Sequence, residues 1–330
     1  MTVPSAQAAS YFPLSSGRYE VKPGLFSFGT DFGNADADEK IFQFDTEFAR
    51  YRTAKLRARS ERLSKYYCLH HYTSPVAREI TNFIAHRLAR EYPLWFTLTE
   101  DGAGRTELYC ALTRERLIFD AGMTLNDIQS ENQCVVPTYA SALDALCCQI
   151  QEDLAVISRT GSNWLSAIHL CYPNHWAAEH KIGKDFASIH EPVPGIDKIN
   201  AEAIALVDAM INKGPYVRFA WGLSTDARLN HHPVPPPGIR LRQWQGRHFH
   251  KDAPQLFLRV ERQTIWGFPE VSAVLFTIRT YITDCREIKT SPDKLIKLES
   301  AIESMTPESL TYKGLVAAKT DILSWLRKQF

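Results

Sequence analysis

The sequence predicts an α+β protein: a five-stranded antiparallel sheet with helices on one side, an N-terminal helical layer before it and C-terminal helices after it. Three observations lead there. Apolar residues recur at helical spacing up to about residue 150 and then alternate. Two short apolar runs flank the Gly- and Asn-containing turn SRTGSN, as in a hairpin. After residue 215, three longer runs rich in aromatic and β-branched residues follow one another, each with strand character. The boundaries fall at 1–150 for the leader and helical layer, 151–290 for the sheet core and 291–330 for the C-terminal helices, all expected to form one compact unit. With 45% apolar residues in a chain of 330, a buried core is well supplied.

Residues 1–40 are rich in Pro, Gly, Ser and Asp and read as a looped leader over the body. From Asp45 to Tyr67, Phe48, Tyr51, Leu56 and Leu63 stand near helical spacing, and the many Arg and Lys residues between them read as a solvated face. SPVAREITNFIAHRLAREYP repeats the pattern, with Ser74 as cap, Pro75 in the first turn and a stop at Pro93. LYCALTRERLIFDAG has mixed character, and TYASALDALCCQIQED reads as a helix ending near Asp153. LAVISRTG and NWLSAIHLCYP form the hairpin. NHWAAEHKIG and KDFASIH are short helices, closed by Gly183 and by Pro192 with Pro194, and INAEAIALVDAMINKG is a long one. The late strands are PYVRFAWGLSTDARL, QLFLRVERQTIWGFP and AVLFTIRTYIT, with a Pro-rich loop between the first two. Two helices, from PDKLIKLESAIESM and LVAAKTDILSWLRKQF, close the chain.

A formal net charge of +1 supplies no global field for a polynucleotide, so a small-molecule partner is expected and nucleic acid is not. No apolar run approaches the roughly 18 residues of a membrane span. The seven cysteines include no C-x-x-C pair, and Cys147 and Cys148 are adjacent, which suits neither a disulfide framework nor a zinc or iron–sulfur site. They read as reduced thiols, and with no secretory signal at the N-terminus a cytoplasmic location is expected. A P-loop, a nucleophile elbow and a HExxH motif are all absent.

The element order, hairpin, short helices, longer helix and three strands, is similar to that of a PAS domain, and KIGKDFASIHEPVPG resembles the segment before the main PAS helix. Four stretches together resemble the haem-dependent oxidative N-demethylase family: PNHWAAEHKIGKDFASIHEPVPG, VRFAWGL with LNHHP, LFLRVERQTIWGFPE and LFTIRTYITD. The resemblance implies haem b in a PAS-like fold, with dioxygen oxidising and N-demethylating a small amine. It also implies electrons from a separate NAD(P)H-dependent reductase that carries flavin and iron–sulfur centres, and tetrahydrofolate as a possible acceptor of the one-carbon product. No G-x-G-x-x-G and no ferredoxin-type cysteine cluster occurs in this chain. Arg218-Phe219-Ala220-Trp221 departs from the family's Arg-x-Asn-Trp by lacking the amide, which bears on the substrate. The alternative is a haem-binding PAS-like sensor or carrier without turnover, and a homo-oligomer is compatible with either reading.

Haem iron needs an axial donor, commonly imidazole. His190 precedes Pro192-Val193-Pro194 and matches the family's His-x-Pro-Val-Pro phrase; it is the candidate ligand, with His175 and His180 in reserve, and its other reading is a segment-capping histidine. His231, His232, His248 and His250 read as polar residues of a Pro-rich loop rather than a zinc set. Strand alternation puts Arg259, Glu261 and Gln263 on one face and Val260 with Arg262 on the other. Arg218, Glu261, Arg262 and Gln263 are candidates to act on dioxygen or the amine, the alternative being an interior ion-pair network. Arg259, Arg279, Trp221 and Tyr281 are candidates for cofactor contact, Arg279 as a propionate partner or a structural arginine. Trp221 or Trp266 could also wall a cationic amine.

Overall fold

The computed structural model describes residues 4–102, 104–132, 134–159 and 163–328. The leader is largely extended, as its Pro and Gly content requires, with the two-residue strand β1 (Phe26–Ser27) as its regular piece. It lies over the body, with Tyr11 and Leu14 buried. Helix α1 (Phe48–Arg62) follows and ends five residues short of the expected Tyr67, which instead opens strand β2 (Tyr67–Leu69); α2 (Ser74–Glu91) comes next, with Pro75 in its first turn. The basic face of α1 is solvated only in part. Arg50 and Arg57 are exposed, whereas Lys55 and Arg59 are buried and point inward.

The N-terminal layer is not purely helical. Strands β3 (Phe96–Glu100), β4 (Thr106–Cys110), β5 (Glu115–Phe119) and β6 (Leu125–Ser130) form a four-stranded antiparallel meander, so the stretch of mixed character is two strands and a turn. Helix α3 (Ala142–Cys147), capped by Ser141, ends six residues before Asp153. The intervening residues leave the helix and send buried side chains elsewhere: Gln149 Nε2 donates to Glu115 (2.7 Å) and Gln151 Nε2 to Asp45 (2.9 Å).

The hairpin is present as β7 (Asp153–Arg159) and β8 (Asn163–His169); its turn residues 160–162 lie outside the described residues. Three helices come next, α4 (Phe186–His190), α5 (Asp197–Ala201) and α6 (Ala203–Asn212), the last two divided at Glu202 where one helix was expected. NHWAAEHKIG supplies only a 3-10 turn at Ala178–His180. Strand β9 (Tyr216–Ser224), helix α7 (Leu241–Trp244), and strands β10 (Phe257–Phe268) and β11 (Ala273–Asp284) complete the core. Four C-terminal helices follow rather than two: α8 (Cys285–Lys289), α9 (Pro292–Glu303), α10 (Pro307–Lys313) and α11 (Lys319–Arg327).

The five expected strands pair antiparallel, and β1 and β2 extend them into a seven-stranded sheet ordered β1-β9-β10-β11-β7-β8-β2. Both faces are covered, which corrects the expectation of helices on one side. On one face Ala155, Ile157 and Ile265 pack against Phe186, Val207 and Met210 of α4 and α6. On the other, Leu154, Val156 and Leu275 meet Ile80 and Ile84 of α2, while Leu258, Val260 and Tyr281 meet the C-terminal helices. The unbroken apolar run Leu154-Ala155-Val156-Ile157 is what a doubly covered strand demands. Helix α6 approaches β10 closely because Gly267 has no side chain: a Cβ there would lie 2.0 Å from the Ile211 carbonyl oxygen.

Candidate functional site

Strand register builds a polar strip on the face toward α4. Arg218 stands opposite Gln263, Ala220 opposite Glu261 and Gly222 opposite Arg259. Two small residues therefore stand opposite two long polar ones. The loop after β8 closes in at Gly222, where a Cβ would meet Asn174 Nδ2 at 3.3 Å.

Arg259 is fully buried and acts as a tether. It donates to the carbonyl oxygens of Leu229 (2.8 Å) and Tyr172 and to the Thr280 hydroxyl (3.1 Å), fixing the loops after β8 and β9 to the sheet. Its Nε lies 3.7 Å from Glu261 Oε1 and has no hydrogen-bond partner. Glu261 is 7% exposed and accepts a 3.2 Å bond from Gln263 Nε2. Burial pushes the Arg218 guanidinium below its usual range, with Glu261 opposing, and its Nε is buried without a partner.

His190 ends α4, whose start is capped by Asp185 accepting from the Ser188 N–H at 2.8 Å. Its Nδ1 lies 2.7 Å from the Phe186 carbonyl oxygen. A carbonyl only accepts, so the neutral ring carries its proton at Nδ1 and keeps a lone pair on Nε2. Burial pushes this imidazole down to about 4, against the bond to Phe186 and with Arg218 and Lys181 adding to the effect. Arg218 thus lies within electrostatic reach of the ring.

A second group adjoins the strip. His175 sits at φ 64° and is held there by backbone bonds, its N–H to His231 O (3.0 Å) and the His231 N–H to Pro173 O (2.9 Å). The two imidazoles stack at 5.4 Å, and His175 Nε2 and His231 Nδ1 are both buried without partners. Burial, then Arg247, His231 and Arg259, push His175 down to about 2. Against the upward push of burial, hydrogen bonds from His231 and Arg228 hold Asp226 well below the usual carboxylate range. Burial likewise lowers Lys313 to about 8, with Glu261 opposing and Arg247 reinforcing; its Nζ donates to the Trp221 carbonyl at 2.7 Å. Arg247 bonds the Tyr312 carbonyl (3.2 Å), and its Nε is buried without a partner.

Of the residues singled out from sequence, Arg218, Glu261, Gln263, Arg259, His190 and His175 gather here. Four others face the opposite side of the sheet. Arg262 donates to the carbonyls of Asp38 (3.2 Å) and Lys40 (3.0 Å) in the leader. Arg279 pairs with Asp45 at 2.6 Å and stacks 3.9 Å from the Tyr51 ring, and the Tyr281 hydroxyl donates to Gln43. Trp221 packs edge-on against Tyr19. His180 is exposed on its 3-10 turn. Asp226, Arg247 and Lys313 carried no sequence signal, since a Pro-rich loop and a C-terminal helix end reach the site only through the tertiary fold. His231, which the sequence presents as a polar residue of a Pro-rich loop, stacks on His175, whereas His248 and His250 are exposed.

Two buried groupings, Asp144–Cys148–His169 and Asp153–His169–Cys171, have metal-type donors within 4.8 Å of one another. Their carboxylates are already engaged. Arg59 grips Asp144 through two 2.8 Å bonds, His169 Nε2 meets Asp144 at 3.0 Å, and Lys55 lies 3.9 Å from Asp153.

The fold and the strip define an α+β protein whose central sheet carries buried cationic side chains and, near them, a neutral imidazole. Residues 33–323 match the family model described as haem-dependent oxidative N-demethylase, alpha subunit-like, and the chain belongs to that family. Membership points to a haem-dependent oxidoreductase role. Among the described residues no helix is long and apolar enough to cross a membrane.

Proposed function

We propose that the chain binds haem b between α4 and the β9–β10 strip and oxidatively N-demethylates a small amine, with electrons delivered by a separate NAD(P)H-dependent flavin and iron–sulfur reductase. One observation carries the reading. Arg218, Arg259 and Lys313 lie within electrostatic reach of Glu261, Arg247 adjoins Lys313, and the Nε–H groups of Arg218, Arg247 and Arg259 are buried without a hydrogen-bond partner, that of Arg259 lying 3.7 Å from Glu261. An uncompensated buried charge is costly, so such a cleft calls for an anionic ligand. Haem b carries two propionates, and His190 offers what an axial ligand needs: a neutral ring, Nδ1 anchored to backbone and Nε2 free. The residues present fit the group. His190 would hold the iron, and Arg218 and Arg247 are placed to meet carboxylates.

Bound haem supplies the electron chemistry with dioxygen, which no side chain of this protein can perform. The chain contributes binding and orientation. Glu261 attracts a protonated amine and accepts its N–H, while Gln263 fixes the carboxylate. Ala220, opposite Glu261, leaves space for N-methyl groups where the family's amide is missing. Lys313 keeps its proton at Nζ at neutral pH and is close enough to Glu261 to feel its charge. Tetrahydrofolate would take up the one-carbon product. The test is formaldehyde release from a small secondary amine by the haem-loaded protein with dioxygen and a competent reductase. Oxygen consumption indifferent to amine would refute the catalytic reading in favour of a sensor or carrier.

A further inference from the structure

Between Asp226 and Asp252 the chain contains no acidic residue, while Arg228, Arg240, Arg242, Arg247 and Lys251 are all basic. The middle of this segment stands out into solvent. Val234, Ile239 and Leu241 are 48%, 45% and 48% exposed, and Arg240 and Arg242 are exposed with side chains that make no hydrogen bond or ion pair among the described residues. Three large apolar side chains and two unpaired cations within nine residues do not stabilise this chain. The base of the segment, by contrast, is fixed. Trp244 Nε1 donates to the His232 carbonyl (2.7 Å), Arg228 stacks over the Trp244 ring at 4.3 Å, and Lys65 donates to the Val234 carbonyl (3.0 Å). Prolines 233, 235, 236 and 237 stiffen the part between. Both ends belong to the candidate site: His231 stacks on His175, and Arg247 reaches toward Lys313 and Tyr312.

We propose that the 234–243 segment is the docking surface for an acidic electron-carrier protein. Charge complementarity selects an acidic partner, and the exposed apolar residues give the contact a dry centre inside a basic rim. The choice of an electron carrier within that class rests on the haem reading; the docking does not. A partner seated here stands beside the cleft because the segment leaves from one wall of the cleft and returns to another. One electron would pass per encounter, oxidising the carrier's reduced iron–sulfur centre and reducing ferric haem to ferrous, with no proton or group transferred.

The test uses the full haem-loaded chain and a plant-type [2Fe–2S] ferredoxin, an acidic one-electron carrier, as the probe. Dissociation constants are measured by calorimetry in about 20 mM and about 500 mM salt, because exposed charges are screened over roughly 10 Å at 0.1 M. Arg240→Glu with Arg242→Glu should weaken binding at least tenfold in low salt, and the difference should vanish in high salt. Arg78→Glu with Arg90→Glu, the same charge change on exposed sites of α2, should leave affinity unchanged. Ile239→Ser with Leu241→Ser should weaken binding at both salt concentrations. Equal loss in both reversal pairs, or no binding by the unaltered chain, would overturn the proposal. So would a homodimer, seen by sedimentation, that the loop variants dissociate, since the surface would then belong to a second copy. Haem uptake is read separately from the Soret band, so that docking without haem refutes only the haem reading, and haem without docking refutes only this one.

Discussion

Replacing Glu261 by Gln probes the cleft with the least change of shape. The amide keeps the volume and can still bond Gln263, but it removes the carboxylate that Arg218, Arg259 and Lys313 share. A hydrogen bond to a charged group is worth about 1.5–3 kcal/mol, which at about 1.4 kcal/mol per tenfold is roughly a ten- to hundredfold loss of affinity for an ammonium ligand. A neutral ligand of the same size loses nothing by this argument. The assay is a binding titration, by perturbation of the haem absorbance, with a small secondary ammonium and with N-methylacetamide. Glu261→Gln should weaken the first by that factor and leave the second within about twofold. Equal weakening of both, or of neither, would refute the assignment of Glu261 to the cation. The same variant removes the charge that supports protonation of Lys313, so the lysine should titrate lower still.

Other perturbations have equally definite outcomes. Gly267→Ala forces a Cβ into the Ile211 carbonyl and should lower unfolding free energy by about 1–3 kcal/mol or more, measured by denaturant titration. Arg59→Met leaves Asp144 buried without its guanidinium, held only by His169 and the Ala140 N–H, and should cost about 3–5 kcal/mol, visible as a fall in Tm. Lys313 titrates near 8 in the folded chain, below its ordinary 10.5, so the folded state binds fewer protons than the unfolded between those values. Stability therefore rises with pH from about 8 to 10.5, by roughly 2–3 kcal/mol, and Lys313→Met should flatten that rise in denaturation curves.

The core strands were legible because their residues leave little choice. β10 and β11 are long, aromatic and β-branched, and alternation alone separates Arg259, Glu261 and Gln263 from Val260 and Arg262. Alternation within one strand says nothing about the phase of its neighbour. Arg279 pairs with Arg262, and Trp221 and Tyr281 with Val260, so all face the leader and C-terminal helices; only inter-strand register reveals this. The β3–β6 meander escaped notice because its strands are five or six residues long and threaded with Glu, Arg and Asp. Lys55 and Arg59 resembled solvated residues since local spacing cannot foresee Asp144 and Asp153 arriving beneath them. His190 was visible through the prolines that follow it, whereas Lys313 reaches Glu261 from a helix more than fifty residues away along the chain.

His190 is proposed as the axial ligand of a haem seated between α4 and the β9–β10 strip. The direct measurement is the absorption spectrum of the haem-reconstituted chain compared with His190→Ala, with and without added imidazole. A Soret band in the unaltered chain that is lost or displaced by His190→Ala, and restored when imidazole refills the position, is the predicted result. No Soret band in the unaltered chain, or the same band in His190→Ala, would contradict the account.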